Sequence, residues 1–205
     1  MALFGKDIKD NYEDFGVEIV KFMRNKTEQW KKEEGYAYSV YNSPAESLCY
    51  RFCTLDEKLF GNIEGVTTKG YYTNSFHRTV EDPLNVFEKA EFEKEYPKYG
   101  SGGFISYGEY PSMIGKEDAL LSAWKEISKY QSYYGTNTPS DNCFLCGFMG
   151  EFKATDLGFE CPECGNHDEH TISCIRRVTG YLGSVGSRPV NKGKHKEMQH
   201  RVKHC

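Results

Sequence analysis

Apolar residues between positions 5 and 34 recur at helical spacing. Ile8, Tyr12, Phe15, Ile19, Phe22 or Met23, and Trp30 fall three, four, seven or eight positions apart, the period of one helix face. Gly35 follows Lys31-Lys-Glu-Glu34 where a helix stop belongs. The pattern predicts one long helix over 5–34 with that stripe turned to a core. The period then changes. Tyr36-Ala-Tyr-Ser-Val-Tyr41 alternates and is rich in β formers, which predicts a short strand. Past Asn42-Ser-Pro-Ala-Glu-Ser47 a helical pattern returns through Leu48, Phe52, Leu55 and Leu59 to Gly61. Ser43 can cap this helix, with Pro44 at its first position and Glu46 completing a capping box.

Residues 65–77 are polar and aromatic and read as a loop running into a short strand. His77 within it could be a ligand or a base, although a lone histidine is more often a hydrogen-bonded structural residue. Phe87, Ala90 and Phe92 among many Glu and Lys predict a solvated helix over 83–97, ended near Pro97. Gly102-Gly-Phe-Ile-Ser-Tyr-Gly-Glu109 reads as a strand entered through a glycine hinge. Ala119, Leu120, Ala123, Trp124, Ile127 and Tyr130 predict a helix over 116–134, and Thr136 to Asn142 a turn-rich linker. Strands alternating with helices suggest α/β architecture. About three strands are too few for a free-standing doubly wound sheet or barrel, so the stretch reads as part of something larger.

Composition adds three constraints. Fifteen Tyr and 13 Phe argue for a packed globule. No apolar run nears 18 residues and Met1-Ala-Leu-Phe-Gly5 is no signal peptide, so the expectation is a cytoplasmic protein without membrane contact. Charge is uneven: residues 176–205 carry eight Lys/Arg against one acid, while the remainder is acidic. A basic tail suits a nucleic-acid module, or a tail that docks on its own acidic body.

The candidate chemistry sits in the last third. Cys143-x-x-Cys146 and Cys161-x-x-Cys164 are separated by 14 residues. Two CxxC pairs at this spacing can close around one Zn²⁺ as a zinc ribbon, with Gly147 and Gly165 where each knuckle turns. Four thiolates leave no open position, so the metal is expected to be structural. Two disulfides or four free thiols are the alternatives, and a cytosolic-looking chain disfavours disulfides. Upstream, a strand, a small-residue loop and a capped helix start at Ser43–Ser47 could hold an anion. From local pattern alone a plain helix cap is the simpler account.

The two cysteine pairs, followed by Arg177-Val-Thr-Gly-Tyr-Leu-Gly183 and Lys194 to His204, resemble the end of anaerobic (class III) ribonucleoside-triphosphate reductases, the T-even phage members in particular. Ser43-Pro-Ala-Glu-Ser47 and Gly70-Tyr-Tyr-Thr-Asn-Ser-Phe-His77 resemble segments of the same family, so the likeness spans essentially the whole chain. It implies the C-terminal part of a ten-stranded α/β barrel at 1–142, a four-cysteine zinc ribbon at 143–175, and a glycyl-radical loop with basic tail at 176–205. Gly180 matches the radical position, with Thr179 where other members often have Cys. The family's members are homodimers that reduce ribonucleoside triphosphates for DNA synthesis. A separate iron–sulfur, S-adenosylmethionine activase installs their radical. The resemblance also turns Ser43, Ala45, Glu46 and Ser47 into a substrate-phosphate site faced by Tyr41. The family's thiyl cysteine and specificity site lie upstream, and Cys49 and Cys53, four apart on the predicted helix, look like packing residues. The chain is therefore expected to be inactive without an N-terminal half or second subunit. The alternative is a non-catalytic zinc ribbon binding nucleic acid through its tail.

Overall fold

The structure, a computed structural model, describes residues 12–42, 45–155, 158–178, 181–184 and 191–204. Helix α1 spans Tyr12–Glu34; positions 5–11 of the predicted helix lie outside the described residues. Its anticipated core stripe is turned outward, with Phe15, Ile19, Phe22, Met23 and Trp30 all exposed by 44% or more. The face that packs carries Val17 and Val20, set against a cluster of Phe76, Tyr96 and Phe104. Gly16 permits that approach, since a Cβ there would stand 2.5 Å from Tyr96 Oη. The reason is geometric. A short 3₁₀ turn, Tyr96–Tyr99, packs on one side of α1, and the apolar stripe points the other way.

The strand predicted at 36–41 is reduced to one parallel bridge, Tyr41 to Gly103. Two bonds frame it, Asn42 N to Gly103 O at 3.0 Å and Gly102 N to Val40 O at 2.8 Å. Helix α2, Glu46–Phe60, begins later than the expected capping box: its N-cap is Ala45, without a side-chain cap. Ser43 and Pro44 lie outside the described residues. A side chain from another loop partly compensates, as Asn74 Oδ1 accepts the Ala45 N–H at 3.1 Å. Cys49 and Cys53 are buried on α2, as packing residues should be.

Helix α3, Val86–Glu93, is shorter than expected and starts at a full capping box between Asn85 and Glu88. It is not simply a solvated helix, because Val86, Lys89, Ala90 and Glu93 are buried. Next comes a βαβ unit. Strand β1, Ser106–Glu109, runs parallel to β2, Tyr134–Asn137, with α4, Glu117–Ile127, between them. The supposed linker thus contains the second half of β2 and, at its far end, the first two residues of the next strand, Asp141–Cys143. Aromatic rings lie over glycines in this pair: a Cβ on Gly108 would stand 1.8 Å from Tyr134 Oη, and one on Gly135 2.9 Å from Tyr107 Cδ1. Val86, Ala90, Tyr110, Ala123 and Ile127 make the core beneath the pair.

A second body follows. Strand β3, Asp141–Cys143, lies between β4, Met149–Gly150, and a later strand, and a hairpin joins β5, Lys153–Thr155, to β6, Gly158–Glu160. The later strand is β7, Ile172–Ser173, antiparallel to β3. Cys143, Phe152, Phe159, Cys161 and Cys174 form its core. Strands β8, Ile175–Val178, and β9, Tyr181–Ser184, then pair antiparallel with Val178 opposite Tyr181. Helix α5, Lys192–His200, packs on α2, where a Cβ on Gly193 would meet Tyr50 Cδ2 at 2.6 Å.

Candidate functional site: a four-thiol cluster and the hairpin it braces

The four cysteines converge. Their sulfur atoms all lie within 4.8 Å of one another, with Cys143 and Cys164 3.7 Å apart and Cys146 and Cys161 3.6 Å apart. Four sulfurs at about 2.3 Å from a tetrahedral ion stand about 3.8 Å from each other, whereas a disulfide needs about 2.05 Å. The donor set therefore fits a metal ion and excludes disulfides in this arrangement. Each knuckle closes with a backbone bond, Gly147 N to Cys143 O at 2.8 Å and Gly165 N to Cys161 O at 3.0 Å. Both glycines have positive φ, 79° and 71°, as the turn requires. Asn166 Nδ2 reaches the Cys143 sulfur at 3.5 Å. Together with backbone donors, that amide lowers the Cys143 thiol to about 6, which favours the thiolate that a metal needs.

Arg176 ties the cluster's body to the hairpin. Its guanidinium forks onto the carboxylate of Asp141, which is fully buried and also accepts the Phe152 N–H at 2.8 Å. It also lies 4.8 Å from the centre of the Phe159 ring. The next side chain goes the other way, as successive strand residues must: Arg177 stands 5.3 Å from the Tyr107 ring on β1. Strand β8 is thereby held between the cysteine body and the βαβ pair. Sequence reasoning singled out the Arg177–Gly183 stretch as a loop, but neither its strand pairing nor these two contacts. An arginine pair on a strand leading into a glycine turn, downstream of a buried acid such as Asp141, is the signal available.

Beneath the hairpin is a buried polar cluster. Glu93 accepts from Lys89 and Ser106, and from His77 Nδ1 at 2.9 Å. Burial holds the His77 ring below its ordinary value, so it is neutral, Nδ1–H faces Glu93, and Nε2 is left as an acceptor. The structural reading of His77 is the one that applies. A cavity of about 60 Å³ adjoins it, bordered by His77, Tyr107, Asn137, Arg177, Arg201 and His204. His77 Nε2, Asn137 Oδ1 and Arg201 Nε are buried around it without a hydrogen-bond partner among the described residues. Two acceptors and one donor suit bound water.

Of the other singled-out residues, Tyr41 is exposed and Ser47 lies exposed in the first turn of α2. Ala45 caps α2; Ser43 and the Glu46 side chain are outside the described residues, as are Thr179 and Gly180. Past Asn191, three cations of the described tail turn to acids of the same chain. Arg201 meets Glu109 and Glu197, Lys203 meets Glu151 at 2.6 Å, and Lys194 meets Glu197. No described helix is long and apolar enough to cross a membrane.

Known proteins give the chain its context. The family profile described as anaerobic ribonucleoside-triphosphate reductase matches residues 1–204. The reductase of that name from Haemophilus influenzae is 53% identical over 92% of this chain and 27% of its own length. That of Escherichia coli is 51% identical over 99% of this chain and 29% of its own. The Enterobacteria phage T4 protein, more distant than these two, is 44% identical over 93% of this chain and 32% of its own. This chain therefore spans less than a third of the curated relatives it matches. A solved anaerobic ribonucleotide reductase superposes with a TM-score of 0.70 at 22% identity, over 93% of this chain and 29% of that one. The Thermotoga maritima enzyme with glycerol in its active site gives 0.60 at 20% identity, over 90% of this chain and 27% of that one, so the fold is shared. By a match that runs over nearly its whole length, the chain belongs to the anaerobic ribonucleoside-triphosphate reductase family.

Proposed function

We propose that this chain is the radical-bearing region of an anaerobic ribonucleoside-triphosphate reductase, with Gly180 as the residue that stores the radical. The observation that carries this reading is the bracing of β8, which ends two residues before Gly180, between a four-thiol body and a parallel strand pair. A backbone Cα radical is stabilised by its flanking amide and carbonyl and needs near-planar geometry, which a side chain would obstruct. It must also be kept from oxygen and water, so its strands need fixed supports on both faces.

In this reading Cys143, Cys146, Cys161 and Cys164 hold zinc in closed coordination, a structural role. Strands β1 and β2 supply two strands of a ten-stranded barrel. The functional units are 1–142, 143–175 and 176–205, in a homodimeric cytoplasmic enzyme. Ser43, Ala45, Glu46 and Ser47, with Tyr41, receive the triphosphate of the substrate at the start of α2. The lack of a side-chain cap at Ala45 leaves room for such an anion to serve the helix N–H groups. A separate iron–sulfur, S-adenosylmethionine activase supplies the hydrogen abstraction at Gly180, and the remaining barrel supplies the thiyl cysteine.

Nucleic-acid binding is less favoured, because Lys194, Arg201 and Lys203 of the tail already face carboxylates. The test is anaerobic electron paramagnetic resonance (EPR) of the complete reductase after incubation with its activase. A glycyl doublet is expected, and it should vanish in Gly180→Ala. Its absence from the wild-type complex would overturn the assignment.

A further inference from the structure

One largely buried arginine links three elements around the hairpin, β8, β1 and α5. Arg201 follows directly on α5. Its Nη1 donates to the Arg177 carbonyl of β8 at 3.0 Å and lies 3.3 Å from Glu109 Oε1 at the end of β1. Its Nη2 donates to Glu197 Oε1 at 3.0 Å. Glu109 is itself oriented, since Asn137 Nδ2 at the end of β2 donates to Oε1 at 2.6 Å. The Glu109 backbone is bonded in both directions to His204: His204 N donates to its carbonyl at 2.7 Å, and its N–H reaches His204 Nδ1 at 3.1 Å. Burial holds His204 down to about 4, which keeps Nδ1 an acceptor at neutral pH.

We propose that Arg201 is a positioning residue for the radical reaction: it fixes the backbone of β8, the strand that leads toward Gly180, to the ends of β1 and β2. The proposal rests on the function argued above. The planar fork of an arginine can grip a carbonyl and two carboxylates at once, whereas a lysine offers one nitrogen and cannot span all three. Arg177 reinforces the same seam through the Tyr107 ring, but only Arg201 among the described side chains bonds the β8 main chain to β1 and α5 together. Transfer of a hydrogen atom between groups on different elements is sensitive to displacements of about 1 Å, enough to cost roughly a hundredfold in rate. A tail that served only to hold the fold together would alter stability and leave the rate per radical alone.

The experiment uses the complete reductase carrying Arg201→Lys, activated anaerobically with the activase. Metal content, circular dichroism, radical yield by EPR, and kcat and KM for the nucleotide are measured on the same preparation. The expected result is wild-type metal content, radical yield within about twofold, unchanged KM, and turnover per radical lowered roughly ten- to a hundredfold. Turnover per radical equal to wild type would overturn the proposal. Should Arg201→Lys fail to retain metal or ellipticity, Asn137→Ala decides in its place. It releases Glu109 while leaving Arg201 charged, and should lower the same ratio several-fold; no change there overturns the proposal equally. Lys203→Ala, which removes a pair at the half-exposed edge with Glu151, is the control expected to match wild type. A wild-type enzyme without a glycyl signal would instead sink the functional reading itself.

Discussion

Glu93 is fully buried, yet its carboxyl lies down at about 2. Burial works against its charge, and the Lys89 ammonium, with the hydrogen bonds from His77 and Lys89, outweighs that penalty. Because the folded value is below the ordinary 4.5, the contribution to stability is present above pH 4.5 and is lost as pH falls through about 2. Glu93→Gln removes the counter-charge and leaves the Lys89 ammonium buried and unpaired. The expected cost is about 3–5 kcal/mol, read as a lower midpoint in urea unfolding. The double variant Lys89→Met with Glu93→Gln should regain much of it, because no buried ion then remains. If Glu93→Gln unfolded at the wild-type midpoint, the quartet would have no role in holding α3 to β1.

At the level of elements, helix existence was legible and helix orientation was not. The stripe on α1 has clean periodicity, but periodicity reports only that one face is apolar. Phe22 and Trp30 are exposed here while Val17 and Val20, fewer and smaller, make the contact. Strand β2 escaped notice because Tyr134-Gly-Thr-Asn137 has the composition of a turn. Its logic appears only when β1 lies beside it and each glycine sits beneath the other strand's tyrosine. Gly108→Ala tests this packing. The added methyl would meet both Tyr134 Oη and Tyr110 Cε2, and the expected loss is about 1–3 kcal/mol, seen as a lower Tm with an unchanged metal content. An unaltered Tm would mean that the rings yield freely. The cysteine spacing was the most legible feature, since ligand geometry is written in the knuckles themselves. The Asp141–Arg176 fork was not, as 35 residues separate its partners.

Across the whole molecule, the metal site and the hairpin are mechanically one assembly. The body made by β3 to β7 is small, with five buried residues in its core, two of them cysteines of the cluster. A core of that size is expected to depend on the metal proposed for its four thiols. Chelation is expected to unfold residues 141–173 and to free Arg176 from Asp141, so that proteases cut near β8 while the βαβ unit stays resistant. Cys146→Ser should give the same digestion pattern without chelator. Unchanged resistance of this body after complete metal removal, verified by elemental analysis, would refute the dependence. In the described tail, Lys194, Arg201 and Lys203 pair with Glu109, Glu151 and Glu197, while Lys192 and Lys196 stay exposed.

The return helix has a consequence for damage. Strand β8 belongs to one side of the turn, whereas β9, α5 and Arg201 belong to the other, yet Gly193 sits against Tyr50 and Arg201 grips the Arg177 carbonyl. A chain severed between Val178 and Tyr181 would therefore keep both of its ends in register. In buffer the nicked protein would travel as a single species, and only denaturant would release the C-terminal piece. If Gly180 stores the radical as proposed, scission there would be hidden from native sizing and revealed only in denaturant.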